Sequence, residues 1–209
     1  MARALHFESA NSSIVKSITQ RVLLNAWLRA VRMPDTLPLL CDFHTDGTAD
    51  ERADMMGFDV VGTGEAARFL ITQEGTRLTT AYGNEDVEPR MRTNRYLDDA
   101  IGPDRYAGVI RSYRACLASK RPTYTVAAVT DADGKDVSYE RLLLPFGRGD
   151  AVEHIIGSYK AISIEGGFRL HNLMGVTPKS VPVVTVRAVI DRRFVPSDHP
   201  ASQDSVELI

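Results

Sequence analysis

The sequence predicts an α+β protein: a five-stranded antiparallel sheet with short helices on one face, an N-terminal amphipathic helix and a C-terminal extension that contains a strand. Three observations predict this fold. Two strand-like runs flank a glycine turn at residues 62–64, and short helical segments and one long helix follow. Three more strand-like runs come next, joined by turn sequences at 131–134 and 147–150; they span 123–129, 137–146 and 152–163.

The composition is that of a globular chain without bulk charge. Of 209 residues, 44% are hydrophobic, and the formal net charge is -2. The chain can therefore bury a core and has no electrostatic reason to bind nucleic acid. It contains no run of about 18 apolar residues and no signal-peptide pattern. We expect no membrane segment and a cytoplasmic location.

Two cysteines, Cys41 and Cys116, lie outside any Cys-x-x-Cys or Cys/His cluster. We therefore expect reduced thiols and no structural metal site. Cys116 falls on the apolar stripe of the long helix, where a small hydrophobic role is the first expectation and redox sensing the alternative.

The N-terminal helix is predicted over residues 14–32, where apolar side chains recur at helical spacing between Ser12–Ser13 and Pro34. Its apolar face is wide and must cover either its own domain or the same helix of a second copy. We expect this face to contribute to a homodimer interface; its residues are Ile18, Val22, Leu24, Trp27 and Leu28.

A glycine motif, Gly62-x-Gly64-x-x-Ala67, follows the first strand-like run and allows two interpretations. A dinucleotide-binding turn needs a full helix directly after it and a parallel strand beyond that helix. Here Arg68 begins a second strand-like run within a few residues, and Gly75 leaves no room for a crossover helix. The sequence therefore favours a tight reversal between two antiparallel strands.

The long helix is predicted from Pro103 to residue 121, with proline at its first position and basic residues near its end. Its inner stripe is expected to face the sheet and to line a small-molecule pocket, although ordinary core packing is the simpler alternative for each residue. The predicted pocket residues are Phe69, Tyr106, Ile110, Tyr113, Arg141, Leu142 and Leu144.

Three polar residues are further candidates. Arg141 lies in an apolar strand, so a buried guanidinium needs a carboxylate, supplied by a ligand or by Glu140 or Glu153. His154 and His171 are candidates for pH sensing or metal binding. The sequence shows no Ser/His/Asp arrangement, Gly-x-Ser-x-Gly elbow, His-Glu-x-x-His motif or phosphate-binding loop, so we assign no catalytic residue and no metal site.

The order of elements resembles a PAS domain, of the kind that stands alone in alphaproteobacterial proteins. The segments that carry this resemblance lie within 54–163 and include FDVVGTG, RFLITQEGTRLTTAYG, YLDDAIGPDRYAGVIRSYRACLASKRPTYT, DADGKDVSYERLLLPF and HIIGSYKAIS. The resemblance implies a sheet packed against short helices, often around a small-molecule cavity, and dimerisation through a helix before the first strand. The reactive-cysteine segment of flavin photoreceptors is missing, and residues 103–121 hold no histidine, so flavin and haem are disfavoured and the cofactor is unknown.

The predicted organisation is an N-terminal helix and connecting segment (1–53), a PAS-like core (54–163), an extension with one strand (164–194) and a flexible tail (195–209). The resemblance implies a cytoplasmic signalling protein that lacks its own output domain and is not an enzyme. Such a protein senses a small molecule or acts as an adaptor through homodimerisation, with a kinase or regulator as partner. The alternatives are a small-molecule enzyme in a cone-shaped α+β fold and, less favoured, a dinucleotide-dependent oxidoreductase.

Overall fold

The computed structural model describes residues 6–33, 35–45, 52–81, 88–130, 136–163 and 183–194. It is an α+β structure whose strands form one mostly antiparallel sheet. The strands are β1 Glu8–Ala10, β2 Met55–Val61, β3 Arg68–Glu74, β4 Arg95–Tyr96, β5 Thr123–Thr130, β6 Asp136–Arg148, β7 Ala151–Ser163 and β8 Val183–Ile190. The α-helices are α1 Ile18–Ala30, α2 Thr76–Ala81, α3 Pro89–Arg92, α4 Leu97–Ile101 and α5 Pro103–Ser119.

The sheet has the strand order β1-β8-β5-β6-β7-β2-β3-β4. Every pair is antiparallel except β1 with β8, which is parallel. Five of these strands, β3-β2-β7-β6-β5, form the contiguous antiparallel unit that the sequence predicts. The prediction of a sheet with only five strands is wrong, because β1, β4 and β8 join the same sheet.

The short strands explain this difference. β1 has three residues and β4 has two, so neither is long enough to show the two-residue alternation of a strand. The strand predicted within the C-terminal extension is β8, and it lies in the same sheet between β5 and the edge strand β1. The hairpin sequence at 131–134 and the segment 164–182, with His171, lie outside the described residues.

The glycine turn joins β2 to β3, which pair antiparallel from Val61 and Arg68 onward. Gly62 and Gly64 have φ of 88° and 56°, in the region that side chains with a Cβ avoid. A single 3-10 turn at Gly64–Ala66 separates them from β3, with no helix between. The predicted strand reversal is confirmed, and the geometry that a dinucleotide-binding turn requires is contradicted.

The two principal helices begin and end for local reasons. Ser17 caps α1, since its Oγ accepts from the Gln20 amide, so the helix starts later than the predicted Ser12–Ser13 boundary. α5 starts at Pro103, as predicted, and ends at Lys120, which has a φ of 55° in the left-handed region. In the part of the chain that the structure describes, no helix is long and apolar enough to cross a membrane.

The sheet is buried on both faces, and each face has its own principal helix. One core lies between the sheet and α1, where Leu24 and Trp27 contact the cluster that contains Leu142 and Phe146. The other lies between the sheet and α5, where Ile110 and Tyr113 join the cluster that contains Phe58. We call these the α1 face and the α5 face of the sheet.

Candidate functional site

The α5 face encloses a group of polar side chains within an aromatic core. The hydroxyls of Tyr113 and Tyr159 are 2.6 Å apart, and the guanidinium carbon of Arg141 lies 5.8 Å from the Tyr159 ring centroid. Arg141 Nη1 is 3.5 Å from Ser112 Oγ, at the limit of hydrogen bonding. Arg141 Nε is buried without a hydrogen-bond partner among the described atoms. A half-buried guanidinium with one buried, unused donor is therefore held beside two phenols.

Burial controls the chemistry of these groups. The pKa of Tyr159 is raised well above its usual value, first because the phenol is desolvated and second because of Tyr113, while Arg141 acts in the opposite direction. Burial likewise raises the pKa of the Cys116 thiol. Cys116 is fully buried and lies 4.0 Å from the Leu143 carbonyl oxygen, so it is a packed thiol without nucleophilic character.

Four of the predicted pocket residues meet on the α5 face as core. The Tyr113 ring contacts Phe69 and Phe58, with centroid distances of 4.8 and 5.3 Å, and Ile110 packs in the same cluster. Tyr106 is half-buried at the edge of this cluster. Burial raises the pKa of Tyr106, and the nearby Asp98 carboxylate adds to the effect.

The placement of Leu142 and Leu144 beside α5 is wrong. Both are fully buried on the α1 face, while Leu143 is the β6 leucine that packs under α5. Side chains alternate between the two faces of a strand, so Arg141 and Leu143 share one face and Leu142 and Leu144 share the other. Arg141 is therefore the only predicted pocket residue of β6 that reaches the α5 face.

The α1 face holds its helix with buried polar contacts as well as apolar packing. Gln20 Nε2 donates to the backbone oxygens of Ser158 at 3.0 Å and Glu140 at 3.4 Å. The Glu140 carboxylate accepts from the Ser17 amide at 3.2 Å, and Trp27 Nε1 donates to the Pro145 oxygen at 2.7 Å. We call Gln20, Glu140 and Trp27, with Tyr124 and Ser158, the α1 anchor.

Charge and burial make this anchor directional. Glu140 is only 2% exposed, and its carboxylate sits at the positive amino end of α1. Tyr124 is buried beside it and accepts from the Lys16 amide at 3.3 Å. Desolvation raises the pKa of Tyr124 most strongly, and the neighbouring Glu140 carboxylate raises it further.

The anchor is incompletely satisfied. Gln20 Oε1 and Ser158 Oγ are buried and have no hydrogen-bond partner among the described atoms. Each such atom costs about 1–3 kcal/mol relative to the hydrated state. The docked position of α1 is therefore less stable than its buried apolar area alone implies.

The residues predicted for the homodimer interface divide between two environments. Leu24 and Trp27 are buried against the chain's own sheet and Leu28 packs beside them, so these three serve an intrachain contact. Ile18 and Val22 point away from the sheet and are 73% and 42% exposed. A homodimer through the outer side of α1 rests on these two residues and stays a prediction.

The remaining candidates lie apart from both faces' cores. His154 Nδ1 is 2.7 Å from Asp59 Oδ1 on the neighbouring strand β2. The His154 side chain is 35% exposed and the Asp59 side chain is 43% exposed. Among the described residues, no three His, Cys, Asp or Glu side chains lie close enough together to hold a metal ion. Glu140 faces α1, so it does not supply the carboxylate for Arg141.

Sequence reasoning missed the α1 anchor, although two signals pointed to it. Gln20 shares the buried stripe of α1 with Leu23, Leu24 and Trp27. Glu140 shares the inward alternation of β6 with Leu142. A polar side chain on an apolar face needs a partner when it is buried, and here each finds its partner on the other element.

Comparisons with protein-family models, with curated proteins and with solved structures found no match.

Proposed function

We propose that this chain is a PAS-type cytoplasmic signalling protein that works as a sensor and protein-interaction adaptor, with α1 as its moving element. The order of elements supports this proposal. The described residues between 55 and 163 form β2 and β3, three short helices with the two-residue edge strand β4 among them, the long helix α5, and then β5, β6 and β7. The five longer strands are contiguous and antiparallel in the sheet. The resemblance on which the proposal rests implies the same order of strands and helices along the chain.

One observation carries the functional step: β6 and β7 connect the two helices through adjacent residues. Glu140 contacts α1 and its neighbour Arg141 contacts α5; Ser158 contacts α1 and its neighbour Tyr159 contacts α5. Arg141 and Tyr159 are also directly paired across the two strands. A rearrangement beneath α5 therefore displaces backbone atoms to which Gln20 is bonded.

The proposed mechanism has two states. In the docked state α1 covers the sheet, and in the released state the anchor residues are hydrated and the apolar side of α1 is free to contact another protein. A ligand or partner shifts this balance only as far as its affinities for the two states differ. The two unpartnered polar atoms of the anchor lower the cost of release.

The proposed partners follow from what each state exposes. In the docked state Ile18 and Val22 form the outer side of α1 and suit association with a second copy. In the released state Leu24 and Trp27 suit a kinase or regulator that binds an amphipathic helix. Both cysteines are free, Cys41 on the surface and Cys116 in the core, which fits a reducing compartment.

The coupling is tested by hydrogen exchange on Tyr159→Phe. This variant removes the 2.6 Å contact with Tyr113 and leaves every described α1 contact in place. We expect faster exchange of the α1 amides, whereas Tyr106→Phe, on α5 and outside the Tyr113–Tyr159 contact, leaves α1 unchanged. Unchanged α1 exchange in Tyr159→Phe, with α5 affected, would refute the coupling.

The association is tested by sedimentation of the wild type and of Val22→Asp. We expect a dimer that the variant dissociates, with the far-ultraviolet circular dichroism preserved because Val22 is exposed. A wild-type monomer, or a dimer that Val22→Asp and Ile18→Asp leave intact, contradicts self-association through this side of α1.

A further inference from the structure

A cleft of about 830 Å³ opens at one end of the sheet, away from the core beneath α5. It lies where the carboxyl ends of α1, α5 and β8 meet the β6–β7 turn. α1 and α5 lie on opposite faces, so this cleft is a place where one small molecule can touch both helices. Its volume falls in the range of small-molecule sites.

The cleft has a charge opposite in sign to that of the whole chain. Five cationic side chains line it against three carboxylates, Asp35, Asp150 and Asp191, and one of the five, Arg32, is paired at 2.6 Å with Asp42 outside the lining. The whole chain carries a formal charge of -2. The cations are Arg32, Lys120, Arg121, Arg192 and Arg193. The local excess is therefore positive.

Ion pairs within the cleft hold two arginines in place. Arg121 contacts Asp191 at 2.6 Å and Asp35 at 3.6 Å, and Arg193 contacts Asp35 at 3.0 Å. The Arg193 amide also donates to Asp191 at 2.9 Å. The three ion pairs form a chain of alternating charges, Asp191–Arg121–Asp35–Arg193, that orients the two guanidinium groups at the rim.

A simpler explanation covers only some of these cations. Basic residues are favourable near the carboxyl ends of helices, which accounts for Arg32 after α1 and for Lys120 and Arg121 after α5. Arg192 and Arg193 follow a strand, so that explanation does not reach them. Arg192 is exposed and makes no described hydrogen bond or ion pair, which leaves its guanidinium available.

Part of the cleft lining is apolar. Leu28 and Val31, at the carboxyl end of α1, are half-buried and line the cleft together with Trp27 and Ile190, which are almost fully buried. A ligand that used both the apolar lining and the rim would need an apolar group and an anionic group. We propose that this cleft binds a small organic anion, a carboxylate or phosphate that carries an apolar group.

In this site the anion pairs with Arg192 and Arg121, and the apolar group lies against Leu28 and Val31. The inference concerns binding alone and goes beyond the proposed signalling function. It places the ligand at the end of the sheet, between the ends of the two helices. The sequence instead predicts a pocket under α5.

Trp27 makes the test direct, because it is the only tryptophan of the chain. The full chain is titrated with phenyl phosphate and with octanoate, and binding is followed by Trp27 fluorescence and by calorimetry. Inorganic phosphate and octanol serve as matched probes that lack the apolar or the anionic half. We expect saturable binding of both organic anions that weakens with added salt, and far weaker binding of the matched probes.

The variants locate the site. Arg192→Gln breaks no described contact and is expected to weaken binding about tenfold, as the loss of one charge-assisted contact does. Arg121→Gln is expected to weaken it at least as much, and Arg105→Gln, on the exposed first turn of α5, leaves it unchanged. Absence of saturable binding, equal binding of octanol, or wild-type affinity in both cleft variants would overturn the proposal.

Discussion

The two faces of the sheet hold their helices in different ways. On the α5 face, the ring contacts of Tyr113 with Phe58 and Phe69 form an aromatic core, to which the Tyr113–Tyr159 hydroxyl contact adds one short polar interaction. On the α1 face, apolar packing is supplemented by a buried carboxylate and a buried amide. Apolar packing tolerates small shifts, whereas hydrogen bonds are made or lost over fractions of an ångström.

This difference indicates which helix is suited to a switch. A helix held by directional contacts has one well-defined docked position, and those contacts are replaced by water when it leaves. α1 therefore has the properties of a two-state element, and α5 those of a permanent part of the core. The predictions below test this contrast, from the largest expected effect to the smallest.

Leu24→Asp is expected to have the largest effect. Leu24 is fully buried between α1 and the sheet, so an aspartate there loses the apolar contacts and buries an unpaired charge. We expect the free energy of unfolding to fall by at least about 4 kcal/mol. Val22→Asp, two residues away on the exposed side, is the matched control and, at a protein concentration where the chains are monomeric, is expected to change stability by less than about 0.5 kcal/mol.

Thermal and urea unfolding measure both variants. Equal destabilisation by Leu24→Asp and Val22→Asp would mean that the two sides of α1 are equally buried, which would contradict the docked position of the helix.

Phe69→Ala and Trp27→Ala compare the two cores directly. Each removes a large aromatic ring that is at most 6% exposed, and each is expected to cost about 3–5 kcal/mol. The two variants should differ in where hydrogen-exchange protection is lost. Phe69→Ala is expected to lower it throughout the sheet, and Trp27→Ala chiefly in α1. Identical protection patterns in the two variants would remove the distinction between the faces.

Alkaline pH is expected to destabilise the fold, partly through the α5 face, because burial raises the pKa of Tyr159 there as it raises the pKa of Tyr124 on the α1 face. The pKa of Tyr159 is raised in the folded chain, so above about pH 10 the unfolded chain releases a proton that the folded chain keeps. The unfolded state then binds fewer protons, and stability falls as pH rises by about 1.4 kcal/mol per pH unit until the folded pKa is reached. Urea unfolding between pH 9 and 11 should show that the free energy of unfolding falls less steeply with pH in Tyr159→Phe than in the wild type. The same pH dependence in both proteins would exclude this role of Tyr159.

Much of the fold was readable from the sequence because its signals were local. The Gly62–Gly64 reversal, the Pro103 start of α5 and the three hairpin strands each depend on residues close together in the chain. β1 and β4 escaped prediction because their pairing partners are distant in sequence and the strands are only three and two residues long.

The candidate site was only partly predictable. The chain itself gives the alternation of Glu140 and Arg141 between two faces, but which face receives which helix depends on tertiary packing. For this reason the sequence predicts Leu142 and Leu144 beside α5, whereas the structure places them on the α1 face. The contacts of Gln20 join residues more than 100 positions apart, which no local pattern encodes.

Hydrogen exchange on Glu140→Gln tests the central claim, that a polar anchor governs release of α1, most directly. The substitution keeps the shape of the side chain and removes the charge that accepts from the Ser17 amide. We predict a loss of protection of about 1–2 kcal/mol in α1, a smaller loss in α5 because the coupling between the two helices is reciprocal, and no effect in Glu153→Gln, whose side chain is exposed. Equal loss of protection in α1 and α5, or no change in α1, would contradict the account.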